Sequence, residues 1–256
     1  MKLTIIGGSG LIGSKLVTVL RDHGHEVVPA SLETGVDLLS GQGLAEAVVG
    51  ADVVVDVSNS PSFEADAALA FFRTATGNIL AAEQAAGVGH HVALSVVGTQ
   101  RLSESGYFRA KIAQEELITE GPVPFSIVHA TQFFEFVGGI ADMSTTDGTV
   151  RLAPVLFQPM AADDVAAAVG RVAVGPPVNG IVEVGGPEQF RLDELVRQTL
   201  TARQDPREVV TDPEAPYSGA HVTERTLVPD DGALLAGTPF ATWLTTNLTP
   251  HLTPHR

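Results

Sequence analysis

Tyr107 and Lys111 stand four residues apart in the stretch SGYFRAKIAQEEL, residues 105–117. In a helix, side chains four residues apart share one face. A tyrosine with its ordinary pKa of about 10 is a poor acid at neutral pH, but a neighbouring ammonium stabilises its phenolate and brings proton exchange into range. The spacing therefore predicts a proton-transfer pair at the start of a helix. The alternative is ordinary helix surface, since the spacing alone is weak evidence.

Ser95 is the third candidate catalytic residue. It falls near the end of the expected strand HHVALSVVG, residues 90–98, and Tyr107 follows it after twelve positions. The carboxyl ends of parallel strands border the crevice in which α/β proteins bind ligands. We expect the Ser95 hydroxyl to hold and polarise the reacting oxygen or nitrogen of a substrate. A serine bonded only to backbone is the alternative.

A glycine loop precedes these residues. The segment IIGGSGLIGSKLV places Gly7, Gly10 and Gly13 three residues apart, between the first expected strand and the first expected helix. Gly7 would allow the tight turn, Gly10 the close approach of backbone N–H groups to a pyrophosphate, and Gly13 the packing of helix on sheet. The positive end of the helix would favour the phosphates. We interpret the loop as a dinucleotide-binding site, with a simple turn as the alternative.

The choice between NAD and NADP depends on the end of the second strand. An acidic residue there would bond the ribose 2′-hydroxyl and repel a 2′-phosphate. The sequence VVPASLE instead has Ala30 and Ser31 at this corner, which favours NADP(H), with Ser31 as a 2′-phosphate ligand. No arginine stands there to bind the phosphate, and Glu33 is close enough to reverse the preference.

Short apolar segments alternate with helical patterns, which predicts a Rossmann-type, doubly wound parallel sheet in the α/β class. A long alanine-rich helix is expected over residues 63–87, and later helices over 163–174 and 191–203. Residues 204–239 are rich in Pro, Asp, Gly and Thr, and are expected to be irregular surface chain. The expected strands are residues 2–6, 25–30, 35–39, 51–57, 90–98, 123–130 and 181–186.

We expect a single domain over residues 1–256. Residues 1–160 would form mainly the dinucleotide-binding core, and 161–256 mainly a small C-terminal substrate cap with one further core strand near 181–184.

Composition limits the classes of partner. Thirty acidic and fifteen basic residues give a net charge of −15, which argues against nucleic acid and anionic membranes. The chain has no cysteine, and it contains no apolar run of the length that a membrane span needs. A cytoplasmic protein acting on a small molecule is the simplest expectation; oligomeric state is not readable from these features.

The chain resembles the short-chain dehydrogenase/reductases, in particular their atypical, NmrA-like branch. The segments that carry the resemblance are GGSGLIG, DVSNS, SVVG, YFRAK, HATQFFEF, AADDVA and VNGIVEVGGPE, over nearly the whole length to about residue 203. The resemblance implies a pyrophosphate site at Gly7, Ser9, Gly10, Leu11, Ile12 and Gly13. It implies adenine contacts from Asp37 and Leu38, and ribose contacts from Val57, Ser58 and Asn59. Lys111 would bond the nicotinamide ribose, with Ala130, Thr131 and Phe133 beside the nicotinamide.

Two departures from the family pattern stand out. Many relatives have a helix asparagine that anchors a catalytic water, whereas here Phe72 or Arg73 falls at that turn and Asn78 lies further along. His129 and Ala130 replace a common Arg-Pro pair.

Other sites are less favoured. Adjacent His90 and His91 point to opposite faces of a strand, so a metal site is not expected. SVVG lacks the sharp elbow of a serine hydrolase. Phe133, Phe134 and Phe136 suggest an apolar substrate pocket, with core packing as the alternative.

The sequence thus predicts an NADPH-dependent reductase that transfers hydride to a C=O or C=N carbon of a small, largely apolar metabolite or xenobiotic, with Tyr107 as proton donor. A non-catalytic NADP(H)-binding redox sensor of the NmrA type is the alternative. A nucleotide-sugar epimerase is a weaker third, because residues 186–256 offer little room for its substrate domain. Substrate identity is not predicted.

Overall fold

A computed structural model describes residues 1–247. Its centre is a seven-stranded, wholly parallel sheet in the order β12-β9-β5-β4-β3-β1-β2. This confirms the expected Rossmann-type parallel sheet. The strands are β1 (Lys2–Ile6), β2 (Glu26–Ala30), β3 (Val53–Asp56), β4 (His90–Val96), β5 (Phe125–Ala130), β9 (Gly180–Gly185) and β12 (Leu234–Leu235).

Helices cover both faces of the sheet, because most of its strands are apolar on both sides. On one face α1 (Leu11–Asp22) packs against α6 (Ala162–Ala173), over a buried layer that includes Ile5, Val55 and Val128. The other face carries α2 (Leu44–Val48), α3 (Ala65–Ala86) and α4 (Gly106–Glu120). The helices α3 and α4 lie side by side and extensively contact each other.

The expected strand at residues 35–39 is wrong. A 3-10 turn (Leu32–Thr34) and a tight loop follow β2 instead. The carboxylate of Asp37 accepts the N–H of Leu39 at 2.9 Å and the hydroxyl of Ser40 at 2.8 Å, so a local turn satisfies groups that a strand would have to pair. At the end of β2, the Ala30 carbonyl faces β1, because it accepts the N–H groups of Gly7 and Gly8. Successive residues of a strand direct their backbone groups to opposite sides, so Pro29 faces the outer edge of the sheet. A proline at that edge has no N–H to donate to another strand.

Smaller strands and helices follow β5. The helices are α5 (Val137–Met143), α7 (Leu192–Ala202) and α8 (Phe240–Asn247). The strands are β6 (Thr145–Thr146), β7 (Thr149–Leu152), β8 (Leu156–Phe157), β10 (Phe190–Arg191) and β11 (Glu208–Thr211). Of these, β6, β7 and β11 form one small sheet, and β8 pairs with β10 in another.

A second apolar core lies among these elements, and the sequence did not predict it. It extends from Leu102 and Phe108, through Phe134 and Phe157, to Trp243. Residues 204–239 are mostly irregular and exposed, as expected, but some of them also contribute to this core: Ala220 and Leu227 are almost fully buried. Their small or aliphatic side chains fill space next to distant elements, which local composition does not reveal.

Within residues 1–247, none of the helices combines the length and apolar content that crossing a bilayer requires.

Candidate active site

The glycine loop joins β1 to α1. Gly7 adopts a left-handed φ of +79° and donates its N–H to Ala30 at 2.9 Å, and Gly10 donates to Gly7 at 2.9 Å. A Cβ on Gly13 would overlap the carbonyl oxygen of Gly7, so only glycine lets the helix approach the loop this closely. Ser9 and Leu11 are exposed, Ile12 is buried, and the first turn of α1 contains no acidic residue. Backbone N–H groups at this end of α1 are therefore available to an anion.

The loop after β3 lies directly against the glycine loop. A Cβ on Gly7 would be 2.9 Å from the backbone nitrogen of Ser58. Val57 and Ser58 are partly buried and Asn59 is exposed. The Ser58 hydroxyl is shielded from solvent and has no hydrogen-bond partner among residues 1–247. A buried hydroxyl without a partner is costly, and a ligand could supply the missing bond.

At the end of β2, Ser31 begins the 3-10 turn and Glu33 is exposed within it. The Asp37 side chain is bound to its own loop, and its pKa is lowered by the Leu39 N–H and the Ser40 hydroxyl. Leu38 is partly buried, and its carbonyl accepts the Asn78 side-chain amide at 2.8 Å. Asn78 therefore anchors this loop.

Tyr107 is the second residue of α4, as expected for a helix start. Its hydroxyl donates to Oδ1 of Asn59 at 3.0 Å, and its ring lies 5.3 Å from Phe63 and 5.5 Å from Phe108, between ring centroids. Burial raises the pKa of Tyr107 to about 12, and the bond to Asn59 offsets only part of that rise. The phenol thus keeps its proton at neutral pH, so the expectation that the Lys111 ammonium lowers the pKa of Tyr107 is wrong: burial outweighs it.

Lys111 follows one turn later and is only 2% exposed. Its ammonium donates to the Leu94 carbonyl at 3.0 Å and to Oε1 of Gln114, and it lies 4.6 Å from the centroid of the Phe72 ring. Burial lowers the pKa of Lys111 to about 8, against the opposing influence of the Asp56 and Glu115 carboxylates. Phe72 also contacts Tyr107, with 6.2 Å between ring centroids.

Ser95 lies on the same face of the sheet, and its side chain is bonded to a carboxylate rather than facing open space. Its hydroxyl donates to Oε1 of Glu115, which also bonds Nε2 of His129 at 2.9 Å. The pKa of Glu115 is lowered: burial raises it, but the bonds from His129 and Ser95 and the charge of Lys111 outweigh that. Tyr107 and Lys111 thus both contact Phe72, whereas the Ser95 hydroxyl bonds Glu115.

The end of β5 contributes the remaining expected residues. Ala130 and Thr131 are buried, and the Thr131 hydroxyl has no hydrogen-bond partner in the described part of the chain. Phe133 is partly buried and stacks on the exposed Phe136, with 5.3 Å between ring centroids. Phe134 is fully buried against Trp243, so it belongs to the second core rather than to a pocket.

Sequence reasoning missed three residues around the site. Glu115 had a usable signal, because it continues the four-residue spacing of Tyr107 and Lys111, and His129 is its partner. Gln132 and Tyr217 are the other two; Tyr217 packs in the second core, against which Tyr107 also packs. Tyr217 had no local signal, because 110 positions separate the two tyrosines.

These residues fit a nicotinamide dinucleotide. The glycine loop packs too closely for side chains at Gly7 and Gly13, which leaves its backbone facing the crevice, and the buried hydroxyls of Ser58 and Thr131 at the carboxyl ends of β3 and β5 have no hydrogen-bond partner among residues 1–247. Such a crevice is where doubly wound folds bind ligands. Residues 1–247 contain no group of three or more His, Asp or Glu side chains placed to hold a metal ion.

Neither a protein-family model nor a curated protein matches the chain. Solved structures do match. A short-chain dehydrogenase/reductase superfamily protein from Agrobacterium tumefaciens, with bound NAD, has a TM-score of 0.72 at 18% identity and covers 97% of this chain and 96% of its own. MoeE5, in complex with UDP-glucose and NAD, has a TM-score of 0.72 at 18% identity over 97% of both chains.

A dTDP-4-dehydrorhamnose reductase from Bacillus anthracis, in complex with NADP, has a TM-score of 0.66 at 14% identity and covers 93% of this chain and 90% of its own. At these identities the likeness concerns the fold. The chain has the Rossmann-type fold of NAD- and NADP-binding short-chain dehydrogenase/reductase structures.

Proposed function

We propose that the chain is an NADP(H)-dependent oxidoreductase of the short-chain dehydrogenase/reductase type, of the atypical, NmrA-like branch. It would reduce a C=O or C=N carbon of a small molecule, with Tyr107 as the proton donor. Residues 161–256 would supply most of the substrate cap.

One observation carries this proposal: the Tyr107 hydroxyl bonds Asn59, in the same loop that packs against Gly7 of the glycine loop. A continuous set of contacts thus joins the expected pyrophosphate site to the expected proton donor. Tyr107 alone would be a helix residue, and the glycine loop alone would be a turn. Their contact through one short loop favours a common ligand.

The residues divide the work as follows. The backbone of Gly7, Ser9, Gly10, Leu11, Ile12 and Gly13 would bind the pyrophosphate, with Ser58 and Asn59 on a ribose and Ala130, Thr131 and Phe133 near the nicotinamide. The bound cofactor would supply hydride. Tyr107 would give its phenolic proton to the substrate oxygen or nitrogen, and a high pKa keeps that proton in place until it is needed. Lys111 would stabilise the phenolate that remains.

Preference for NADP(H) rests on Ser31, whose position at the end of β2 carries no acidic group. Glu33 in the next turn opposes it, because its carboxylate would repel a 2′-phosphate.

A non-catalytic cofactor sensor is the second candidate, and the burial of two expected catalytic groups favours it. Lys111 is 2% and Ser95 3% exposed, and both are bonded to protein groups. The overall fold is also compatible with a nucleotide-sugar enzyme, because 97% of the MoeE5 chain, which was solved with UDP-glucose, matches this chain. The size of the C-terminal part is therefore no argument against that class.

The first test compares wild type with Tyr107→Phe, which keeps the ring contacts and removes only the hydroxyl. Binding is followed by fluorescence titration with NADPH and with NADH, and turnover by NADPH consumption with carbonyl and imine acceptors. We expect both proteins to bind NADPH more tightly than NADH, and only wild type to turn over. Full activity in Tyr107→Phe would rule out the proposed proton donor. Tight binding of NADPH with no turnover of any acceptor would favour the sensor. If neither cofactor binds, both the reductase and the sensor proposals are wrong.

A further inference from the structure

The Gln132 side chain is a buried amide without satisfied hydrogen bonds. It is 8% exposed, and neither its Nε2 nor its Oε1 makes a hydrogen bond of normal geometry within residues 1–247. Its backbone is well fixed, since the carbonyl accepts the N–H of Met160 at 2.9 Å. Buried amides nearly always have partners, because leaving both a donor and an acceptor unpaired is costly. A ligand group beside the amide could supply the missing bonds.

Tyr217 lies beside this amide. Burial raises the pKa of the Tyr217 phenol, and the neighbouring Gln132 amide offsets only part of the rise. Tyr217 is 8% exposed, and a two-residue hairpin turn holds its backbone in place. In that turn Tyr217 and Ala220 exchange two backbone hydrogen bonds, of 2.9 and 3.0 Å, across Ser218 and Gly219, which both have positive φ angles. This geometry is that of a primed turn, so the side chain is presented by a rigid element.

The same two residues lie next to the expected reaction centre. Tyr217 belongs to the second core, and Tyr107 packs against that core. Gln132 stands between Thr131 and Phe133, which the proposed function assigns to the nicotinamide end. An amide and a phenol thus border the region where Tyr107 would meet its substrate.

We propose that Gln132 and Tyr217 bind a second polar group of the substrate, next to the carbonyl or imine that Tyr107 protonates. The amide offers two N–H donors and a carbonyl acceptor, and the phenol can act as either donor or acceptor. A hydroxyl on the carbon next to the carbonyl matches this set. The substrate class is therefore a hydroxycarbonyl compound rather than a largely apolar ketone. This inference rests on the proposed function.

The test uses two pairs of ketones in which a hydroxyl on the carbon next to the carbonyl replaces a methyl group. The pairs are hydroxyacetone with butanone, and α-hydroxyacetophenone with propiophenone. The variants are Tyr217→Phe and Gln132→Met, which keep most of the side-chain volume. We expect wild type to favour the hydroxyketone by at least about tenfold in kcat/KM, and each variant to lose most of that preference. NADPH titration should give the same affinity in all three proteins, because neither residue is assigned to the cofactor.

A preference that stays unchanged in both variants would overturn this inference and leave the proposed function standing. Equal loss of activity toward both members of each pair would also overturn it, because that pattern indicates damage to packing. If wild type binds NADPH but reduces none of the four ketones while reducing other carbonyl compounds, the hydroxycarbonyl assignment is wrong. If it reduces no acceptor of any kind, the proposed function falls and this inference falls with it.

Discussion

Lys111 combines two opposing influences on its charge. Removal from water favours the neutral amine, whereas the carboxylates of Asp56 and Glu115 favour the ammonium, and the balance leaves its pKa at about 8. The ammonium is therefore the main form at pH 7 and is lost over the next two pH units. Tyr107, with a pKa of about 12, does not titrate in that range.

We expect reductive turnover to decline as the pH rises through about 8, because neutral Lys111 no longer stabilises the Tyr107 phenolate left after proton transfer. The measurement is kcat against pH from 6 to 10 with saturating NADPH. Lys111→Arg keeps its charge over this whole range. Its residual activity should therefore lack the decline near pH 8.

A wild-type profile that is flat between pH 7 and 9 would contradict this role for Lys111. The same decline in both wild type and Lys111→Arg would assign the titration to another group.

The sequence indicated candidate site residues better than it indicated the side chains to which they are bonded. Tyr107 and Lys111 were identified from their helical spacing, and the structure places both against Phe72. The partner of Ser95 was not predictable, because Glu115 is twenty positions away and His129 lies on another strand. The bond between Tyr107 and Asn59 spans 48 positions and leaves no pattern in the sequence.

The junction of β1 with α1 depends on close approach between a helix and its own preceding loop. Gly13 lies in the first turn of α1, against the Gly7 carbonyl. Gly77 lies in α3, and a Cβ there would meet no atom within 4 Å. The two helical glycines therefore form a matched pair for substitution by alanine.

We expect Gly13→Ala to lower the free energy of unfolding by about 1–3 kcal/mol, because the added Cβ forces the loop and helix apart. Gly77→Ala should raise it by about 0.4–1 kcal/mol, since alanine restricts the unfolded chain and suits a helix. Urea unfolding measures both, and NADPH titration should show weakened binding only for Gly13→Ala. Equal stability of the two variants would contradict the close contact.

Whole elements were predictable where their pattern is local. Six of the seven parallel strands and the helix at residues 65–86 follow from apolar runs and composition, whereas the two-residue β12 was not predicted. Residues 35–39 were wrongly predicted as a strand because their apolar residues flank Asp37, whose side chain instead stabilises a turn. Beyond residue 204 the buried side chains were not predicted, because they lie between turn-forming residues that are typical of surface loops.

The whole molecule has cores that do not divide along the sequence. The second core draws on Leu102 and Phe108 as well as on Leu192 and Trp243, and β9 and β12 complete the central sheet. Unfolding the C-terminal part would therefore expose the side of α4 that carries Tyr107.

We expect chemical unfolding to be a single transition, consistent with one domain. Trp243, the only tryptophan, reports on the second core by its fluorescence, and far-UV circular dichroism reports on all helices and strands. The two probes should give the same urea midpoint. Separate midpoints would show that the C-terminal part unfolds independently of the central sheet.

The two edges of the central sheet also affect how readily another chain could add a strand to it. At one edge β2 turns Pro29 outward, and at the other β12 has only two residues, Leu234 and Leu235. Proline offers no N–H to an incoming strand, and a two-residue strand offers too few bonds to hold one. Within residues 1–247 the seven-stranded sheet thus ends on both sides in edges that offer few backbone groups for intermolecular β-pairing. Such edges disfavour edge-to-edge aggregation of the folded protein.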